Sequence, residues 1–178
     1  MMRNIVGVDA QFVFYSLKKA NLDVKFPYRQ ICSLIERDGD EVLDVFAPVV
    51  RFPPQSDDPV DVLKSFEDTQ RVTHALEQQG VNVIEAPARQ MRDKTGREWV
   101  RHSDDQRLMI RLALVCARLK PDFLVLVAAD GDYAPLVWGL RNEGVRTKLI
   151  TDLTCVSPEL EAACYSVSNL FSVLERLE

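Results

Sequence analysis

Two hydrophobic rhythms alternate along this chain: short unbroken apolar runs that mark buried strands, and apolar residues three and four apart that mark helices. The first run, Ile5-Val-Gly-Val8, stops at Asp9. Residues 10–19 have the spacing of an amphipathic helix, Phe26-Pro27 interrupts it, and residues 28–37 put Ile31, Leu34 and Ile35 on one helical face. Asp38-Gly-Asp40 reads as a turn before a Val- and Phe-rich strand at 41–51. A polar loop punctuated by prolines at 53–59 leads to a helix over 60–79 with Gly80 as its C-cap, then to a third strand at 81–84. Residues 88–101 lack a helical period and contain Asp93-Lys-Thr-Gly96, which suits a hairpin turn. A helix over 104–119 follows, stopped by Pro121.

The most apolar stretch is Phe123-Leu-Val-Leu-Val-Ala-Ala129, which ends in Asp130-Gly-Asp132. An apolar run without polar alternation belongs to a strand buried on both faces, as in a parallel sheet. Gly131 is expected to permit a sharp reversal there. A helix then runs to about Asn142, with Pro135 in its first turn. Gly144 ends it, residues 145–151 make a fifth strand, Ser157-Pro-Glu-Leu-Glu161 opens a short helix with a capping serine, and residues 167–177 close the chain.

Strands alternating with helices predict a three-layer α/β domain on a mostly parallel sheet. At 178 residues a single domain is expected, with a basic hairpin-like insertion around 88–102. Neither G-x-G-x-x-G nor G-x-x-x-x-G-K-[ST] occurs, so a dinucleotide or P-loop reading has little support. Four widely spaced cysteines without a CxxC pair, no secretory signal and no apolar run of membrane-spanning length lead to the expectation of a cytoplasmic protein in a reducing compartment. The net charge of −5 confines any nucleic-acid contact to a local basic patch.

Acids at strand ends carry the candidate chemistry. Asp9 and Asp130 each end an apolar strand, where open α/β sheets place ligands, and Asp132 follows at once. Asp104 and Asp105 open the helix after the basic stretch. Steps of three and four from Asp105 reach Leu108, Met109, Leu112, Cys116 and Leu119, so Asp105 is expected to face inward and Asp104 or Ser103 to cap. Taken singly, each acid could serve as a turn residue, a cap or a dipole complement. Together they would repel one another unless a cation neutralised them. Oxygen-only donors suit Mg²⁺ or Mn²⁺, and a carboxylate-held ion of that kind can clamp phosphate oxygens and activate water.

Strand-Asp9, an inward Asp105, Asp130-Gly-Asp132-Tyr-Ala-Pro-Leu136 and Ser157-Pro-Glu-Leu160 together resemble the NYN domains of the PIN-like superfamily, particularly the LabA-like branch. The resemblance spans about residues 4–173. It implies a PIN-like, Rossmann-like sheet and an acidic Mg²⁺ or Mn²⁺ site of Asp9, Asp105, Asp130 and Asp132 that cleaves RNA, with a homodimer as a further expectation. Three positions depart from the family's pattern: Phe12, Ala128 and Arg111 stand where it often has Asn, Ser or Thr, and an acid.

The basic stretch supplies Arg89, Arg92, Lys94, Arg97 and Arg101 with Trp99 among them. It reads either as an arm gripping single-stranded RNA, with Trp99 stacking on a base, or as a charged, exposed hairpin. His102 reads as a surface residue or a proton carrier, His74 has no assigned role, and Gln11 and Tyr133 flank the acids. The leading expectation is a metal-dependent ribonuclease. Its main rival is a PIN-like module that binds RNA or a protein without cutting. Phosphatase and primase-type domains fit less well: the former place D-x-D on the first strand, and the latter want a Glu where Asp9 stands.

Overall fold

The computed structural model describes residues 1–22, 26–37, 39–51, 60–92, 94–96, 98–101 and 103–177, with 60–67, 89–92 and 98–101 described by backbone alone. Its elements follow the apolar rhythm closely. Strand β1 (Arg3–Val8) leads into helix α1 (Ala10–Lys19), and α2 (Tyr28–Arg37) precedes β2 (Glu41–Arg51). Helix α3 (Val60–Glu77) and β3 (Val81–Pro87) come next, then the short strands β4 (Arg89–Arg92) and β5 (Glu98–Arg101). Helix α4 (Asp104–Leu119), β6 (Phe123–Val127), α5 (Ala134–Asn142) and β7 (Arg146–Thr151) follow, with α6 (Pro158–Ala163), β8 (Ser166–Asn169) and α7 (Leu170–Glu175) completing the order.

Six strands form one sheet in the order β3-β2-β1-β6-β7-β8, and every neighbouring pair is parallel. The chain winds outward from β1 through β2 to β3, then restarts at β6 and winds the other way. The reversal lies between β1 and β6, paired from Asn4↔Phe123 to Val8↔Val127. That is the topological switch point, where strand ends diverge and leave a crevice. Strands β4 and β5 pair antiparallel as a separate two-stranded ribbon.

Strand β6 is buried along its whole length because the sheet is covered on both sides. Leu124 and Leu126 pack with Ile5, Leu108, Leu112, Leu140 and Leu160 beneath α4, α5 and α6. Val125 and Val127 pack with Val6, Val8, Val13, Ile31 and Val173 beneath α1, α2 and α7. Alternate residues of one apolar run thus feed two cores. Gly7 lies where α4 packs over β1: a Cβ there would stand 2.6 Å from Leu112 Cδ1, so Leu112 would have to shift to admit one.

Three local expectations change. Residues 167–177 contain part of a sixth strand, β8, paired Lys148↔Ser166 to Thr151↔Asn169. Gly131 does not have a positive φ, so no left-handed turn demands it; it packs closely on Ser157, whose Oγ would lie 2.7 Å from an added Cβ. Ser157 sits at the N-cap of α6 without a side-chain capping bond. Gly80 and Gly144 do take positive φ, +80° and +86°, at helix ends. No helix among the described residues is long and apolar enough to cross a membrane.

Candidate active site at the sheet switch point

Asp9 follows β1 directly and holds two positions at once. Its backbone N–H donates to Val127 O (2.9 Å), continuing the pairing with β6, while its side-chain Oδ1 accepts from Phe12 N–H (2.9 Å) as the N-cap of α1. The side chain is only 6% exposed. Burial pushes its pKa up to about 6; Phe12 N–H opposes this, and the charges of Asp105 and Asp104 add to it.

Asp130 occupies the matching place after β6. Its Oδ1 accepts from Asp132 N–H (3.0 Å), so Asp130, rather than Asp132, caps the single 3-10 turn Gly131–Tyr133 that starts α5. Tyr133 is fully buried, and its hydroxyl donates to Asp105 Oδ1 (3.1 Å). Burial, followed by the charges of Asp9 and Asp105, raises the phenol pKa well above its ordinary value, so it stays a donor.

The phase of α4 differs from the sequence expectation by one residue. Asp104 is 2% exposed, and Asp105 is half-buried. The buried stripe runs Asp104, Leu108, Leu112, Val115 and Cys116, so the deepest face of the helix starts at Asp104. Asp105 stands one position round from it and borders the cleft, tied to Tyr133. Ser103 is the N-cap by position but makes no side-chain capping bond; its Oγ accepts from Arg107 Nε instead.

Asp9, Asp105 and Asp130 line one open cleft of about 450 Å³, with Gln11, Tyr15 and Ser157 on its walls. Three acids spread over more than a hundred residues of sequence border this cleft because β1 and β6 are neighbours and α4 packs over β1 and β2. Asp132 is exposed and is not among the residues lining this cleft. Phe12 and Cys155 also line it, Ala128 is wholly buried, and Arg111 borders a separate cleft with Phe46 and Asn82. Sequence reasoning missed Cys155, Ser157 and Tyr15 as cleft residues, and the Asp152-Leu-Thr154 turn beside them, whose Asp152 accepts from Thr154 N–H (2.9 Å) and Oγ1–H (2.7 Å). An Asp-x-Thr directly after a strand is a legible turn signal.

Of the expected RNA arm, Lys94 is exposed at the tip of the β4–β5 ribbon. Arg89, Arg92, Trp99 and Arg101 are placed by backbone alone, with Arg89↔Arg101 and Met91↔Trp99 in register. Arg97 and His102 lie outside the described residues. His74 is exposed and shares a 2.9 Å hydrogen bond with Gln78 on the same helix.

The donor chemistry is all carboxylate oxygen, which fits Mg²⁺ or Mn²⁺. Among the described residues, no group of three or more His, Cys, Asp or Glu is gathered closely enough to form a protein-only metal cage. Mg²⁺ does not require one: it keeps several waters and is held by one or two carboxylates together with substrate phosphates. The Asp9–Asp105–Asp130 cleft therefore fits a largely hydrated ion and not a buried structural one.

A search of curated proteins found no match. Among solved structures, a protein of unknown function from Vibrio parahaemolyticus RIMD 2210633 superposes with a TM-score of 0.68 at 22% identity, over 95% of this chain and 93% of that one. At that identity the likeness speaks for the fold alone. MurG from Acinetobacter baumannii superposes at a TM-score of 0.49 and 11% identity, over 95% of this chain and 41% of that one, too distant to carry an argument. The family model of the NYN domain matches residues 4–171. With its switch-point acids and all-parallel sheet, the chain belongs to the NYN domain family and has the three-layer architecture of a PIN-like, Rossmann-like domain.

Proposed function

We propose that this NYN domain is a ribonuclease that hydrolyses RNA phosphodiester bonds with a divalent cation, Mg²⁺ or Mn²⁺, at the switch-point cleft. One observation carries the reading: Asp9, Asp105 and Asp130 line a single open cleft although three different elements supply them. The family as a whole is nuclease-like and RNA-related, which supports the substrate class.

Asp9, Asp105 and Asp130 are the residues that would hold the cation, directly or through water, and Asp132 would act from the rim. A bound cation would offset the mutual repulsion of these carboxylates and supply charge stabilisation for a phosphate and an attacking water. Asp9 is rigid because it caps α1, and Asp105 is oriented by the Tyr133 hydroxyl. Asp130 is held by the N–H of Asp132. Each acid thus has one oxygen engaged by the protein, which presents the group in a fixed direction. The β4–β5 ribbon, with Arg89, Arg92, Lys94, Arg97, Trp99 and Arg101, would grip the RNA backbone. Four free cysteines accord with action in the cytoplasm.

The departures at Phe12, Ala128 and Arg111, with no preassembled three-ligand group among the described residues, favour a second reading. In it, the domain binds RNA and does not cut it. Labelled single-stranded RNA incubated with wild type and Asp130→Asn, in Mg²⁺, Mn²⁺ or EDTA, separates the two. Cation-dependent cutting by wild type that disappears in the variant is the expected result. Binding without cutting under every condition would replace the nuclease with the binding module.

A further inference from the structure

Helix α1 presents an exposed aromatic surface that the acidic cleft does not account for. The helix buries Val13, Ser16 and Leu17 toward the sheet, which leaves Phe14, Tyr15 and Lys18 on the opposite face. Phe14 is 59% and Tyr15 62% exposed, a poor place for two large aromatic rings unless something covers them. The rings meet edge to face with centroids 5.5 Å apart and both remain largely exposed. Lys18 Nζ stands 5.9 Å from the Phe14 centroid. Tyr15 also lines the acidic cleft, so the surface and the cleft are continuous.

The opposite wall carries related features. Lys19 Nζ donates to Thr154 Oγ1 (3.2 Å), linking the end of α1 to the turn after β7. Leu153 in that turn is exposed, and Cys155 just beyond it lines the cleft. The surface beside the cleft therefore combines two exposed aromatic rings, an exposed aliphatic side chain and two lysines.

We infer that Phe14 and Tyr15 form a nucleobase-stacking platform that seats unpaired bases of single-stranded RNA at the mouth of the acidic cleft, with Lys18 and Lys19 meeting the adjoining phosphates. This inference rests on the proposed RNA function and deepens it by naming the residues that seat the bases. Aromatic rings beside cations are the recurring surface for single strands, because every base has a π-face and every link a phosphate. A base-paired duplex offers no free face to Tyr15. The platform also explains how a chain of net charge −5 can bind RNA beside its own acids: stacking supplies attraction that does not depend on overall charge.

Binding is measured by fluorescence anisotropy in EDTA, where cation-dependent cleavage is silent. The probes are a short labelled oligoadenylate and an abasic oligomer of the same length and charge. Wild type is expected to prefer the oligoadenylate. Phe14→Ala/Tyr15→Ala should weaken that binding roughly ten- to a hundredfold, leave the abasic probe unaffected and retain the wild-type far-UV circular dichroism; Tyr15→Trp should retain affinity. Equal affinity of wild type for both probes, or unchanged oligoadenylate binding by the double variant, would overturn the platform. So would a shift of the double variant to a smaller species in gel filtration with RNA affinity unchanged, which would make the patch a contact between copies. The proposed nuclease is read separately, by cation-dependent cutting that Asp130→Asn removes, so either idea can fail while the other stands.

Discussion

Acids at both edges of the central sheet accept from backbone N–H groups, but the charges around Asp9 differ from those at the amino edge. At the amino edge, acids meet cations and backbone donors. Asp122 accepts from Arg3 N–H (2.7 Å), Lys120 pairs with Glu143 (3.0 Å), and Asp40 accepts from Met2 N–H (3.0 Å) and lies 3.8 Å from Lys148 Nζ. At the carboxyl edge, the charges acting on Asp9 are those of two further carboxylates, Asp105 and Asp104. The first arrangement holds strand starts in place. The second adds to the burial that raises the free energy of ionised Asp9.

Five substitutions test this contrast. The largest effect is expected from Asp105→Asn or Asp130→Asn, which should reduce cation-dependent RNA cleavage to background while thermal unfolding remains cooperative. Asp9→Asn should separate function from stability. Asparagine caps a helix as well as aspartate does, so the bond to Phe12 N–H can persist while the charge disappears. Because the folded pKa of Asp9, about 6, lies above its ordinary 3.8, the protonated form favours folding. That contribution is complete below about pH 4 and is lost as the pH rises through about 6. In EDTA at pH 8, Asp9→Asn should therefore be more stable than wild type by roughly 1–3 kcal/mol, with the difference closing on acidification, as followed by urea denaturation. A wild type equally stable at pH 5 and pH 8, relative to the variant, would show that Asp9 is not strained.

Tyr133→Phe should have a smaller effect. Losing the bond to Asp105 is expected to cost about 1 kcal/mol of stability and to weaken Mn²⁺ binding about tenfold by calorimetry. Weaker Mn²⁺ binding by Tyr133→Phe would identify Tyr133 as a positioning residue for Asp105; an unchanged Mn²⁺ affinity would leave it a packing residue. The smallest effect belongs to the other edge. Lys120→Ala breaks an exposed pair and should change stability by less than about 1 kcal/mol, without altering cleavage.

Much of the fold could be read in the chain because its signals are local. The unbroken run 123–127 and the alternating helices required no long-range information, and Asp9 and Asp130 are marked by where those runs stop. Strand β8 escaped because Ser166-Val-Ser-Asn169 is short, polar and at most half-buried, with no apolar run to declare it. Its pairing with β7 is a tertiary fact. The choice between Asp104 and Asp105 depends on a helix's phase at its first turn, where a one-residue difference rotates every assignment by about 100°. The close neighbour of Gly131 is Ser157, and the partner of Asp105 is Tyr133, 28 residues further on. Neither contact leaves a mark in the local pattern.

Gly7 gives the cleft its gauge. It stands two residues before Asp9, and the Leu112 side chain that would collide with a Cβ there lies two helical turns beyond Asp105. One missing methyl thus sets how closely the helix that carries one acid can approach the strand that carries another. A larger residue at this point would press on Leu112 of α4, with every acid still present. The spacing of the two supports is therefore marked at a position with no polar atom to announce it.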